Sequence, residues 1–227
     1  DNESWRLDLK SFPKLVKKFS YRGYNEIIPP VHGSGYYKYG GYYSTREVKE
    51  IIQYAKKLNI EVMPEIELPA HSWAVIQFMP KLLDNFKKIN FQDIGNYKNN
   101  TINPCLQTTW KFLERVINDI AKIFPFSVIH IGVDERPKGA WEGSAKIINF
   151  MKKNNLKKFS AVQDYFVNRV NSIIRKKNKK TAAWNEAVLP VYDGDINIGG
   201  TGNIDKNCLK TNLFTKKKNI KIDKAKN

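Results

Sequence analysis

Val128-Ile129-His130-Ile131-Gly132-Val133-Asp134-Glu135-Arg136-Pro137-Lys138-Gly139-Ala140-Trp141 sets a short apolar run against two adjacent acids, with Pro and Gly close behind. The run reads as a buried strand whose tip opens into a loop carrying a carboxylate pair. Neighbouring side chains of a regular strand point to opposite faces. Asp134 and Glu135 can therefore serve one pocket only if the backbone turns or bulges between strand and loop. Parallel barrels build their active sites at such C-terminal strand ends.

Working outward, helical and strand patterns alternate, as expected of βαβ units around a parallel sheet. Ser44-Thr45-Arg46-Glu47 forms a capping box, after which Val48, Ile51, Ile52, Ala55 and Leu58 recur at helical spacing. The apolar residues 60–68 predict a strand, and a loop with Asn96, Asn99, Asn100 and Pro104 follows. Trp110, Leu113, Val116, Ile117 and Ile120 mark a second amphipathic helix leading into a strand at Ser127–Ile131. A short helix is expected over 144–153. Ser160 with Gln163 predicts the start of a longer helix, with Val162, Phe166, Val170 and Ile174 on its apolar face. Thr181–Trp184 reads as the next strand and 195–198 as another. Beyond it lie Gly199-Gly200-Thr201-Gly202 and a Lys/Asn-rich tail in which no further helix or strand is expected. The Tyr/Gly stretch of residues 33–43 reads as a loop whose tyrosines pack on the rim, the alternative being that their aromatic faces line a sugar cleft.

At 227 residues and 41% apolar content the chain suits one domain with a sizeable core. A net charge of +17 raises the question of nucleic acid. However, 32 of the 39 basic residues are Lys, scattered or in runs such as Lys176-Lys177-Asn178-Lys179-Lys180 and Lys216-Lys217-Lys218. Arg is the usual instrument of base readout, and no helix-turn-helix, zinc-finger or RNP pattern is present. A Lys-rich solvated surface, without a specific nucleic-acid site, is expected. No run has membrane-spanning length. Cys105 and Cys208 leave one disulfide open, and with His32, His71 and His130 scattered along the chain no metal or other cofactor is predicted.

The acid-pair segment resembles the His-Ile-Gly-Gly-Asp-Glu wording of glycoside hydrolase family 20, the β-N-acetylhexosaminidases. Three further segments are similar to that family in the same order. They are Asp1-Asn2-Glu3-Ser4-Trp5-Arg6, Glu61-Val62-Met63-Pro64-Glu65-Ile66-Glu67-Leu68-Pro69-Ala70-His71, and Ala182-Ala183-Trp184-Asn185-Glu186. The resemblance implies a (β/α)8 TIM-type barrel, here partial. Such a barrel typically needs about 250 residues. The family's first strand, with its sugar-gripping arginine, is expected before Asp1, and its last two strands find no match. Residues 1–200 are expected to form the catalytic barrel portion, with about five strands, and 201–227 the tail.

The resemblance also implies roles. Glu135 would protonate the leaving oxygen and later activate water, and so would carry a proton near neutral pH in the resting enzyme. Asp134 would orient the substrate's 2-acetamido group, whose oxygen attacks the anomeric carbon. His71 would sit beside the acids, held by an aspartate at Asp1, while Trp184 would wall the N-acetyl pocket and Glu186 would touch sugar hydroxyls. His130 reads as a core histidine. The implied partner is a glycan ending in N-acetylhexosamine, and the implied location is outside the cytoplasm. The missing segments also allow a silent or sugar-binding remnant of the same fold. Val133, Ala70 and Ser4 replace small residues of the family pattern, and each is strained if its φ is positive.

Overall fold

The computed structural model of the chain describes residues 1–31, 33–84, 97–189, 192–193, 196–197 and 199–211. His32, Asn96 and the Lys216–Lys218 run lie outside them.

Helix α1 (Pro13–Phe19) opens on a proline, whose missing N–H costs nothing in a first turn, and buries Leu15, Val16 and Phe19. A small antiparallel ribbon pairs β1 (Tyr21–Arg22) with β2 (Tyr39–Gly40), so part of the Tyr/Gly stretch is strand rather than loop. In α2 (Thr45–Lys57) the capping box forms as the sequence predicts: Ser44 Oγ accepts the Glu47 N–H and Glu47 Oε2 accepts the Ser44 N–H. The helix buries Val48 and Ala55, yet Ile51 and Leu58 stay about half exposed, at 45% and 54%.

Strand β3 (Glu65–Leu68) is shorter than the expected 60–68. Pro64 has no N–H to give to a ladder, although its carbonyl accepts the His130 N–H at 2.9 Å. Helix α3 (Trp73–Phe78) follows, too short for its period to show in the sequence. Helix α4 (Gln107–Ile123) buries Trp110, Leu113, Val116, Ile117 and Ile120, and β4 (Val128–Gly132) is buried along its whole length. Burial on both faces explains why β4 reads as a continuous apolar run rather than an alternation.

Ser144 caps α5 (Ala145–Lys153) by accepting the Ile147 N–H. Helix α6 (Phe159–Arg175) begins two residues earlier than expected, with Lys158 at the cap position; Ser160, the expected cap, is buried in the first turn. Strand β5 (Lys180–Trp184) completes the predicted set.

Two expectations fail beyond β5. Strand β7 (Ile196–Asn197) pairs antiparallel with β6 (Tyr192–Asp193), so it is a hairpin arm and not a barrel strand; residues 195 and 198 of the predicted strand lie outside the described residues. Conversely, β8 (Leu209–Thr211), within the supposed tail, pairs in parallel with β5. Three residues, two of them exposed, carry too little alternation to be read from sequence.

The main sheet is parallel, in the order β3-β4-β5-β8, and helices cover it. The chain therefore forms part of a (β/α)8-type α/β barrel, with four parallel strands among the described residues rather than the five expected. Ile129 and Ile131 share one apolar core with α1, α3, α4 and α6. Cys105 and Cys208 are both free thiols. Among the described residues no helix is long and apolar enough to cross a membrane.

Candidate active site

The four parallel strands end at Leu68, Gly132, Trp184 and Thr211, and His71, Asp134, Glu135 and Glu186 lie just past the first three of those ends. The turn that alternation demanded is present. Gly132, Val133 and Glu135 all have positive φ, at 66°, 82° and 47°. Glycine suits position 132, where φ is positive and a Cβ would have to displace the Glu67 carboxyl. Val133 is a β-branched residue held in the left-handed region and buried, a strain of about 1–3 kcal/mol that the surrounding packing sustains. Ala70 and Ser4 lack positive φ, so those two departures from the family pattern carry no such strain.

Because the backbone turns, both acids reach one imidazole. His71 Nε2 lies 3.5 Å from Asp134 Oδ2 and 3.4 Å from Glu135 Oε2. Behind the ring, the arrangement differs from the expectation for Asp1. Asp1 Oδ1 is 4.0 Å from His71 Nδ1, whereas Asn2 Nδ2 lies 3.3 Å away. Asn2 Oδ1 accepts the Trp73 N–H at 3.1 Å, which fixes the amide so that its NH2 faces the imidazole. Donation from Asn2 would make Nδ1 the acceptor and leave the ring proton on Nε2, the nitrogen on the side of the two acids.

His71, Asp134 and Glu135 are also the described residues whose donor atoms come close enough to hold a metal ion, within 4.8 Å of one another.

Asp134 is 9% exposed. Burial works against its ionisation, but hydrogen bonds from His71 and Glu67 outweigh it and hold the carboxyl below its ordinary value. Glu67 takes the opposite course: burial first, then the Asp134 charge, pushes it up to about 10. The two carboxyls are thus driven apart, Glu67 towards the protonated form and Asp134 towards the ionised one. The sequence signal for Glu67 was available, since Glu65 and Glu67 alternate with Ile66 and Leu68 and share one strand face.

A carboxyl that stays protonated when folded contributes stability that is complete below its ordinary pKa, 4.5, and is lost as pH rises through about 10. The Glu67→Gln variant should therefore flatten the decline of Tm between pH 5 and 9. Thermal unfolding reads this at about 2–4 °C per kcal/mol for a chain of this size. Parallel pH profiles for the two proteins would show that Glu67 is not the titrating group.

Glu186, expected to touch sugar, is 6% exposed, and its Oε2 accepts the Glu135 backbone N–H at 2.8 Å. Burial raises its carboxyl despite that bond. Trp184 stands against His130, ring centroids 4.6 Å apart, at the end of β5. His130 is a core residue as predicted, contacting Glu65 Oε1 at 2.9 Å and Thr211 Oγ1 at 2.8 Å. Asp1, Trp5, Tyr43, Glu65 and Glu67 line a cavity of about 430 Å³ along β3, reaching Val48 and Ile120 of the covering helices, and Glu135 is not part of its lining.

A parallel barrel sheet with a carboxyl–imidazole cluster at its C-terminal edge defines the class, an α/β-barrel protein with the site layout of barrel enzymes. The chain belongs to glycosyl hydrolase family 20, whose catalytic-domain model matches residues 1–198. It is 34% identical over 188 residues to the beta-hexosaminidase of Vibrio furnissii, covering 82% of this chain and 31% of that protein. It is 31% identical to the human beta-hexosaminidase subunit beta, covering 79% of this chain and 33% of the subunit. Among solved structures it is similar to a family 20 exo beta-N-acetylglucosaminidase from Vibrio harveyi in complex with N-acetylglucosamine. That match has a TM-score of 0.83 at 30% identity and covers 95% of this chain and 32% of the other. The chain thus spans about a third of the length of these relatives.

Proposed function

We propose that this chain supplies the catalytic-barrel portion of a β-N-acetylhexosaminidase, removing terminal GlcNAc or GalNAc from glycans by substrate-assisted, retaining catalysis. One observation carries the reading: the Asp134 and Glu135 carboxylates converge on His71 Nε2 within 3.5 Å at the C-terminal edge of the sheet. Adjacent acids suit a division of labour that separated acids do not. Glu135 gives its proton to the glycosidic oxygen while the substrate's acetamido oxygen closes onto the anomeric carbon as an oxazolinium. Asp134, ionised and buried, accepts the acetamido N–H and stabilises the positive charge that develops. Water then attacks from the vacated side and yields a proton to Glu135.

His71, with Asn2 beside its Nδ1, places Nε2 within 3.5 Å of both carboxyl groups and so stands between their headgroups. Trp184 contributes an apolar wall for the N-acetyl methyl group. Asp1 remains at the rim, near His71 but second to Asn2. The unit that carries this chemistry extends past residue 200 to β8, because Thr211 contacts His130 beneath Trp184. We assign the protein to an exported compartment, where terminal amino-sugars of glycans are exposed.

The test is hydrolysis of aryl N-acetyl-β-glucosaminides by the 227-residue chain and by longer forms extended at either end, with the first-formed anomer followed by NMR. Release of the β-anomer is expected. Release of the α-anomer would exclude the mechanism, and turnover by no form would favour a silent, sugar-binding remnant of the fold.

A further inference from the structure

Glu135 occupies the left-handed region, φ 47°, which a residue with a side chain adopts only when its surroundings hold it there. The element holding it is the turn after β5. Glu186, in the short 3-10 turn Asn185–Ala187, accepts the Glu135 N–H on its carboxylate at 2.8 Å. The Glu186 carbonyl in turn accepts the Gly200 N–H at 2.9 Å and the Gln163 Nε2 at 3.4 Å. Gln163 Oε1 accepts the Nε–H of Arg136, the residue after Glu135, at 3.1 Å. Two consecutive residues of the acid loop are thus tied to one turn on the neighbouring strand, through a ring of Glu135, Arg136, Gln163 and Glu186. Gly200 lets the chain close on that turn, since a Cβ there would collide with the Ala187 carbonyl. At 6% exposure, with its carboxylate engaged by a backbone N–H, Glu186 is poorly placed to reach a sugar.

We propose that Glu186 is a positioning residue for Glu135: its carboxylate, bonded to the Glu135 amide, holds the proton donor in the pose from which it reaches the leaving oxygen. The inference rests on the reading of Glu135 as general acid. A charge-assisted N–H to carboxylate bond is stronger than a neutral one, which suits a contact that must keep one residue out of its preferred backbone region. Gln163 steadies the same loop from the helix side.

The experiment compares two aryl N-acetyl-β-glucosaminides in the full-length protein carrying these residues. One has an unsubstituted phenol as leaving group, which needs a proton; the other has 2,4-dinitrophenol, which does not. Glu186→Ala is expected to lower kcat on the phenyl substrate about 10- to 100-fold, a fraction of what general acid catalysis contributes. It should change the dinitrophenyl rate by less than about threefold and leave KM near its original value. Glu186→Gln keeps an acceptor oxygen and should restore the phenyl rate to within about threefold. If the Ala variant does not fold, Glu186→Met fills the volume without an amide or carboxylate oxygen and carries the same comparison.

Equal losses on both substrates, or a loss confined to KM, would overturn the proposal in favour of a general structural or sugar-binding role, as would unchanged rates. Glu135→Ala serves as the control. If Glu135→Ala spares the phenyl substrate, the general-acid reading itself fails. If it discriminates between the substrates while Glu186→Ala does not, only the positioning role is lost.

Discussion

Glu135→Gln is expected to reduce kcat/KM on glycosides with poor leaving groups by about 10²- to 10⁴-fold, the range that a positioned general acid contributes. The substitution keeps the shape of the side chain and leaves the backbone N–H bonded to Glu186, so the loop should not move. It removes only the transferable proton. With 40% of its side chain exposed, Glu135 contributes little burial, and stability should change by less than about 0.5 kcal/mol. The measurement is therefore clean: steady-state turnover on chitobiose or a phenyl glycoside, alongside thermal unfolding. A variant that loses turnover without losing Tm supports the assignment. One that retains turnover removes Glu135 from the reaction.

Asp134→Asn is the second large effect. Asp134 is held ionised by His71 and Glu67 despite its burial, and its charge is what would stabilise the oxazolinium. The amide is nearly isosteric but neutral, and it can present its NH2 to the acetamido N–H, donor against donor. A loss of about 10²- to 10³-fold in kcat is expected, comparable to removing one preorganised electrostatic partner. A second readout follows from the pairing with Glu67. Without the Asp134 charge, one of the causes that raise Glu67 disappears, so the variant should lose part of the alkaline decline in stability. Glu67→Gln and Asp134→Asn touch one shared proton, and their effects on the pH dependence of Tm should fall short of additivity. Full additivity would mean that the two carboxyls titrate independently.

Much of this protein is written locally. The Ser44–Glu47 capping box, the buried run of β4 and the apolar faces of α4 and α6 are short-range patterns, and each reappears where the sequence places it. Even the turn at the acid pair was legible, because two neighbouring carboxylates cannot share a pocket on a regular strand and the backbone had to leave the β region. Short elements were not legible. Helix α3 has six residues and β8 has three, too few for a period to stand out, and β8 exists because β5 offers it a ladder.

What the sequence by itself determined is the parallel α/β plan, the family and the identity of the three groups Asp134, Glu135 and His71 at strand ends. What only the tertiary structure decided is who supports them. Asn2, 69 residues before His71, took the place expected of Asp1. Glu67, its carboxyl pushed up by burial and by the Asp134 charge, stands beside Asp134, and Glu186 turned away from solvent to grip the Glu135 backbone. Periodicity and turn chemistry act over a few residues and so can be read along the chain. Tautomers, shared protons and backbone clamps depend on atoms a few ångströms apart that the chain brings together from distant segments, and only the packed fold sets those distances.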